Sequence, residues 1–152
     1  MLTSVLIYAL TLIGAVPLAL PLALARGGRS KIARLLTGAY ISFMRGTPLM
    51  LQLIAVYFGP WYLFRIRISD GYRFYAVIIA FVLNYAAYFA EIYRAGIAAV
   101  PKGQREAAAV LGYSRFQTFF KIILPQVIKR ILPSVTNEVI TLVKDTSLAF
   151  TL

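Results

Sequence analysis

The sequence predicts an all-α protein, a polytopic bundle of membrane-spanning helices, and three observations predict it. Of the 152 residues 61% are hydrophobic and 14% charged, where a soluble domain carries about a quarter charged residues. The mean hydropathy is +0.78. The apolar residues gather into four runs, near 2–25, 32–64, 72–99 and 131–152, each at least as long as a crossing of the hydrocarbon core requires. Together they read as one transmembrane domain over residues 1–152.

The first run begins uncharged and stays apolar well beyond the short core of a secretory leader, so it reads as a span. Pro17 and Pro21 predict a kink in it, tolerated where neighbouring helices satisfy the freed carbonyl. Straight, the second run would reach nearly ~50 Å against a core of about 30 Å, so part of it lies outside the core. Counting back from Phe64 puts Arg45 at the inner boundary, residues 32–44 along or below it, and a kink at Pro48. The third run stops at Pro101-Lys102-Gly103. The fourth starts near Ile131 and runs to Leu152.

Basic residues set the orientation, because Lys and Arg in short loops favour the cytoplasmic side. Arg26, Arg29, Lys31 and Arg34 follow the first span, and Arg94, Lys102, Arg105, Arg115, Lys121, Lys129 and Arg130 flank the stretch between the third and fourth. On the other side stand only Arg65, Arg67 and Arg73, so the N-terminus is expected outside. Tyr57, Trp61, Tyr62, Tyr72 and Tyr75 cluster toward that outer boundary, where amphipathic rings prefer the headgroup layer. Arg65, Arg67, Asp70 and Arg73 form either a solvated loop or a platform for an external protein.

The formal charge of +11 reflects these flanks rather than a nucleic-acid face. With no Cys and no His, disulfides, thiol nucleophiles and Cys/His metal sites are excluded. Gly27-Gly28-Arg29-Ser30-Lys31 lacks the spacing of a phosphate loop, so no nucleotide hydrolysis is expected of this chain. No catalytic residue and no metal ligand is assigned.

About thirty residues between the third and fourth spans cannot cross a membrane. A short helix through Glu106-Ala107-Ala108 to Leu111 is broken at Gly112-Tyr113. Ser114 and Gln117 have capping-box spacing and open a second helix that places Phe116, Phe119, Phe120 and Ile123 on one face and ends at Pro125. One reading is an amphipathic pair lying on the inner leaflet. The other is a compact knob suited to a groove on a soluble partner.

Glu106-Ala107-Ala108, Gly112, Ile122 and Leu124-Pro125 are spaced as in the EAA loop of bacterial ABC importer membrane subunits. Arg45-Gly46-Thr47-Pro48-Leu49 with Gln52, Asn84, the run 90–97, and Lys144-Asp145-Thr146-Ser147-Leu148-Ala149 resemble the polar amino acid permeases of that superfamily. The resemblance implies a type I importer permease fold with cytoplasmic coupling helices at 100–126. It also implies a multi-pass subunit of the bacterial inner membrane. Such permeases usually carry about five spans and this sequence stops within the fourth, so a C-terminal span is expected to be missing from it.

The resemblance further implies two paired permease chains, identical or related, an external substrate-binding protein, and a cytoplasmic ATPase subunit that carries ATP and Mg. Coupling to that ATPase falls to Glu106, Ala107, Ala108, Gly112, Phe116, Phe119 and Phe120. Those residue types suit the role: alanines permit close backbone approach, glycine a sharp turn, and the Phe face buries apolar area.

Polar side chains inside spans are costly and mark candidate pathway positions. Asn84, Tyr88 and Glu91 share a face of the third span, and Glu138, Thr141 and Asp145, with Asn137 and Lys144 alongside, form a stripe on the fourth. Arg45 and Gln52 share a face of the second. The expected pathway set is Gln52, Asn84, Tyr88, Glu138, Thr141 and Asp145, with carboxylates attracting an ammonium or guanidinium. Arg45, Pro48 and Lys144 are expected to be structural or gating; Arg45 can snorkel at the interface, and Glu91 with Arg94 can form a local ion pair. An ion-coupled carrier using Glu138 and Asp145 without an ATPase is the rival function, but it leaves the EAA spacing unexplained. A non-transporting scaffold has no need of buried carboxylates.

Overall fold

The computed structural model describes residues 2–65 and 71–150, and among these every regular element is helical. In chain order they are α1 (Leu2–Gly27), α2 (Lys31–Gly46), α3 (Leu49–Phe64), α4 (Tyr72–Ala98), α5 (Lys102–Val110), α6 (Arg115–Thr118) and α7 (Leu124–Asp145). A π-helical turn over Phe119–Ile123 joins α6 to α7, and a 3₁₀ turn, Thr146–Phe150, follows α7. Arg67, Asp70 and the final two positions of the fourth apolar run lie outside the described residues.

α4 is the central helix, with Tyr85, Phe81 and Phe89 among the largest fully buried side chains. Against it lies α1, whose buried residues Ile7, Thr11, Ala15, Ala19 and Ala23 recur at every fourth position. Small residues at that interval form a flat stripe down one face, so the two backbones approach closely. α4 buries small residues as well, Ala76, Ala80, Ala86, Ala87 and Ala90. At Gly14 a Cβ would stand 2.8 Å from Val82 Cγ2. Thr3 and Ile7 meet Phe74 and Val77 near the start of α4, so the two helices run parallel.

α7 packs antiparallel on α4. Gly96 near one end of α4 leaves no room for a Cβ, which would lie 2.3 Å from Ile131 Cγ2. Toward the other end, Arg73 Nη2 donates to the Ala149 carbonyl at 3.5 Å. Arg130 Nη1 donates to the Ala99 carbonyl at 2.6 Å, satisfying the C-terminal end of α4.

By length and composition α1 and α4 can each cross a membrane, and the α2–α3 pair passes the same test as one span bent by 108°. The second apolar run is thus two helices, broken at Thr47-Pro48. Pro48 precedes α3 with extended backbone, φ −61° and ψ 136°, and Thr47 before it is extended too, as residues preceding a proline are pushed to be.

One expected stop is absent. Pro125 does not end a helix but sits in the first turn of α7, so the chain is helical from Arg115 to Asp145. Pro125 has no N–H to give and its ring displaces the preceding turn. The π turn accommodates this, with the Leu124 N–H reaching back five residues to the Phe119 carbonyl. The fourth helical segment therefore begins ahead of Ile131.

Candidate functional site

The break between α2 and α3 exposes carbonyls that an uninterrupted helix would satisfy. Two amide side chains meet them. Gln52 Nε2 lies 2.9 Å from the Met44 carbonyl, 3.1 Å from that of Thr47 and 2.8 Å from Thr47 Oγ1. Asn84 Nδ2, from α4, donates to Gln52 Oε1 at 3.0 Å and lies 3.3 Å from the Met44 carbonyl. Thr47 Oγ1 donates in turn to the Phe43 carbonyl at 2.8 Å. Gln52 and Asn84 are 7% and 4% exposed, so these bonds replace water where none is at hand. An unmet carbonyl in such surroundings costs several kcal/mol.

A cavity of about 540 Å³ opens beside the break. Arg45, Thr47 and Pro48 line one side, Asn84, Tyr85 and Tyr88 of α4 another, and Glu138, Thr141 and Asp145 of α7 the third. A second space of about 390 Å³ shares Arg45, Tyr88 and Glu138 and extends between α4 and α7 to Glu91 and Arg130. The two carboxylates of α7 differ. Asp145 Oδ2 accepts from the Tyr85 hydroxyl at 2.6 Å, while Glu138, half-buried, has no hydrogen bond or ion pair among the described residues. Across from them the Arg45 guanidinium lies 5.3 Å from the centre of the Tyr88 ring, within cation–π range.

Five of the six expected pathway residues, Asn84, Tyr88, Glu138, Thr141 and Asp145, thus line one cavity; the sixth, Gln52, stands behind its wall. Thr141 turns its hydroxyl proton to the Asn137 carbonyl at 2.9 Å, leaving only acceptor capacity. Arg45 stands in the cavity wall, because the break turns its helix end onto Tyr88. Lys144 is exposed and lines neither space. Glu91 and Arg94 form a two-pronged ion pair, Nε to Oε2 at 3.0 Å and Nη2 to Oε1, as their i, i+3 spacing allows.

Tyr85 was not in the expected set. A tyrosine only 2% exposed in an apolar helix needs a partner for its hydroxyl, and that requirement was the available signal. Asp145 supplies the partner.

The stretch expected to couple to an ATPase, α5 and α6 with the π-helical turn, forms the chain's other notable site. α5 closes in a Schellman motif: Gly112 N–H donates to the Ala109 carbonyl and Tyr113 N–H to the Ala108 carbonyl, both at 3.0 Å. Gly112 has φ +77°, a conformation that disfavours a side chain. The capping box is present, with Ser114 Oγ accepting from Gln117 N–H at 3.2 Å and Gln117 Oε1 from Ser114 N–H at 3.0 Å. Glu106 and Ala107 are exposed while Ala108 is buried. The phenylalanine stripe divides. Phe116 and Phe120 are 71% and 48% exposed with ring centres 4.4 Å apart, whereas Phe119 packs with Val100, Ile123 and Val127. Being continuous with α7, the helix turns one edge of the stripe to the bundle and leaves the other outward.

Residues 15–152 match the family of binding-protein-dependent transport system inner membrane components. The chain is 46% identical over 127 residues to a putative glutamine transport system permease protein of Rickettsia bellii, covering 84% of this chain and 57% of that one. It is 44% identical over 149 residues to an L-cystine transport system permease protein of Bacillus subtilis, covering 96% and 62%. A crystal structure of an amino acid ABC transporter with histidines superposes with a TM-score of 0.86 at 36% identity, covering 99% of this chain and 69% of that one. The chain spans little more than half the length of the first of these relatives. On the match over 15–152, the chain belongs to the family of inner membrane components of binding-protein-dependent transport systems.

Proposed function

We propose that this chain forms half of the translocation pathway of an ATP-driven amino acid importer, pairing with a second permease chain and carrying no catalytic chemistry itself. The observation that carries the reading is the opposed charge in one cavity, Arg45 on one wall and Glu138 with Asp145 on another. An α-amino acid presents a carboxylate and an ammonium on one carbon. Arg45 meets the first with its planar fork, and Glu138, with no hydrogen bond or ion pair among the described residues, meets the second. Gln52 and Asn84 serve the pathway by holding the break, since their donors are engaged there. The names of the relatives, permeases for glutamine and L-cystine, support an amino acid as cargo.

The exposed Phe116–Phe120 pair, Glu106 and Ala107 dock in a groove of a cytoplasmic ATPase that holds ATP and Mg. The N-terminus faces outward, where a binding protein delivers substrate. Uptake by the assembled transporter in vesicles tests this: it requires internal ATP and falls with Glu138→Gln. Uptake that follows an ion gradient without ATP overturns it.

A further inference from the structure

A cavity of about 490 Å³ lies at the basic end of the bundle, between the α1–α2 connection and the coupling segment. Three separate elements each contribute an arginine: Arg29 from the connection, Arg105 from α5 and Arg115 from the start of α6. Tyr113 lines it too, with the Lys121 ammonium 5.9 Å from its ring centre, and Phe119 and Ile123 form an apolar back wall. Among the described residues no acidic side chain lines this cavity, and the one ion pair found among them is Glu91–Arg94, elsewhere. No hydrogen bond among the described residues joins the connection to α5 or α6.

Three exposed arginines line one space, and positive charge gathered on one side of it favours an anion even where solvent screens each group. Depth narrows the choice of anion. Arg29 lies just past the end of α1, a helix long and apolar enough to cross the membrane, so the cavity sits at headgroup level with apolar wall and charge side by side. Arginine forks match phosphate oxygens two at a time, and basic pockets at this depth suit anionic lipid headgroups.

We propose that the Arg29, Arg105 and Arg115 cavity binds the phosphate of an anionic inner-leaflet phospholipid, which bridges the α1–α2 connection to the coupling segment. This rests on the reading that the basic end faces the inner leaflet. Phe119 and Ile123 receive the glycerol and first acyl carbons.

Native mass spectrometry of the assembled transporter, incubated with phosphatidylglycerol or phosphatidylcholine, tests it. Phosphatidylglycerol is retained in preference, and Arg29→Gln weakens retention about tenfold, the loss expected when a charged hydrogen-bond donor is removed. Arg29 lies outside the coupling helices, so this variant decides the matter if an Arg29→Gln/Arg105→Gln/Arg115→Gln variant fails to assemble. Thermal shift with inorganic phosphate separates the sources: stabilisation absent from Arg29→Gln shows that the site also takes the free ion, and no shift restricts it to the headgroup. Either result upholds the phosphate site, provided the lipid is retained. Equal retention by Arg29→Gln, or no preference over phosphatidylcholine, overturns it. So does protection of these arginines only on adding the ATPase, with no lipid retained. Loss of ATP-driven uptake with Arg29-dependent lipid retention intact counts against the importer and leaves this site standing.

Discussion

The Tyr85 hydroxyl donates to Asp145 Oδ2 at 2.6 Å, joining the central helix α4 to the last turn of α7 across the cavity wall. Tyr85 is nearly inaccessible, at 2% exposed, so its hydroxyl has no ready access to a replacement partner. Tyr85→Phe removes the donor while keeping the ring. A lost hydrogen bond to a charged group is worth about 1.5–3 kcal/mol. The expected result is a lower thermal midpoint in detergent and slower uptake, whereas Tyr75→Phe, exposed on the same helix, moves neither.

The amide brace predicts coupled losses. Gln52→Leu strips the Met44 and Thr47 carbonyls of their shared donor, and Asn84→Leu leaves Gln52 Oε1 without its own. Each destabilises by about 1–3 kcal/mol. Because the two amides bond to one another, the double variant is less damaged than the sum, by about 0.5–3 kcal/mol. Unfolding of the four proteins of the cycle measures this, and strict additivity would show the brace to be no unit.

The helical content, the α2–α3 break near Pro48 and the α5–α6 turn at Gly112 were legible because each has a local cause: apolar length, a missing N–H, a residue free to take positive φ. Pro125 misled for the same reason. Its local meaning is a stop, yet the π turn at Phe119–Ile123 absorbs the offending bond and the helix continues. Arg45 was hidden by geometry that no single run contains, since its place beside Tyr88 and Glu138 depends on the 108° bend and on α7. The Thr11, Ala15, Ala19, Ala23 stripe was visible as an interval of four, masked by the uniformly apolar helix around it.

Gly96 of α4 faces Ile131 of α7, and Gly96→Ala drives a Cβ to 2.3 Å from Ile131 Cγ2. The clash is with a side chain, so the helices separate rather than break. Overpacking of this kind costs about 1–3 kcal/mol. Expected is a lowered thermal midpoint that Ile131→Ala partly restores in the double variant, since it removes the atom met by the new methyl. A double variant worse than either single one would place the strain elsewhere.

Opposed charge in the cavity predicts a split between substrate affinity and stability. Glu138→Gln keeps the shape and removes the charge offered to an ammonium, and Arg45→Lys keeps charge but loses the fork. Each is expected to raise the substrate concentration for half-maximal uptake by about tenfold, one charge-assisted hydrogen bond's worth, with little change in thermal midpoint. Lys144→Gln, exposed and outside the cavity, leaves both unchanged. Uptake kinetics in vesicles beside melting curves distinguish this from a structural role, which would move the midpoint first.

If α5 and α6 dock on an ATPase as proposed, Gly112 ties backbone conformation to coupling. At φ +77° a Cβ meets no other group, so Gly112→Ala introduces only backbone strain, about 1 kcal/mol. The strain falls on the Schellman bonds from Gly112 and Tyr113 to Ala109 and Ala108, which set the angle between α5 and α6. The expected variant assembles with its ATPase, hydrolyses ATP and transports poorly, so the ratio of ATP consumed to substrate moved rises. Gly103→Ala serves as the control, because Gly103 lies within α5 with open space around it and no positive φ. Equal behaviour of the two variants would remove the turn geometry from the coupling step.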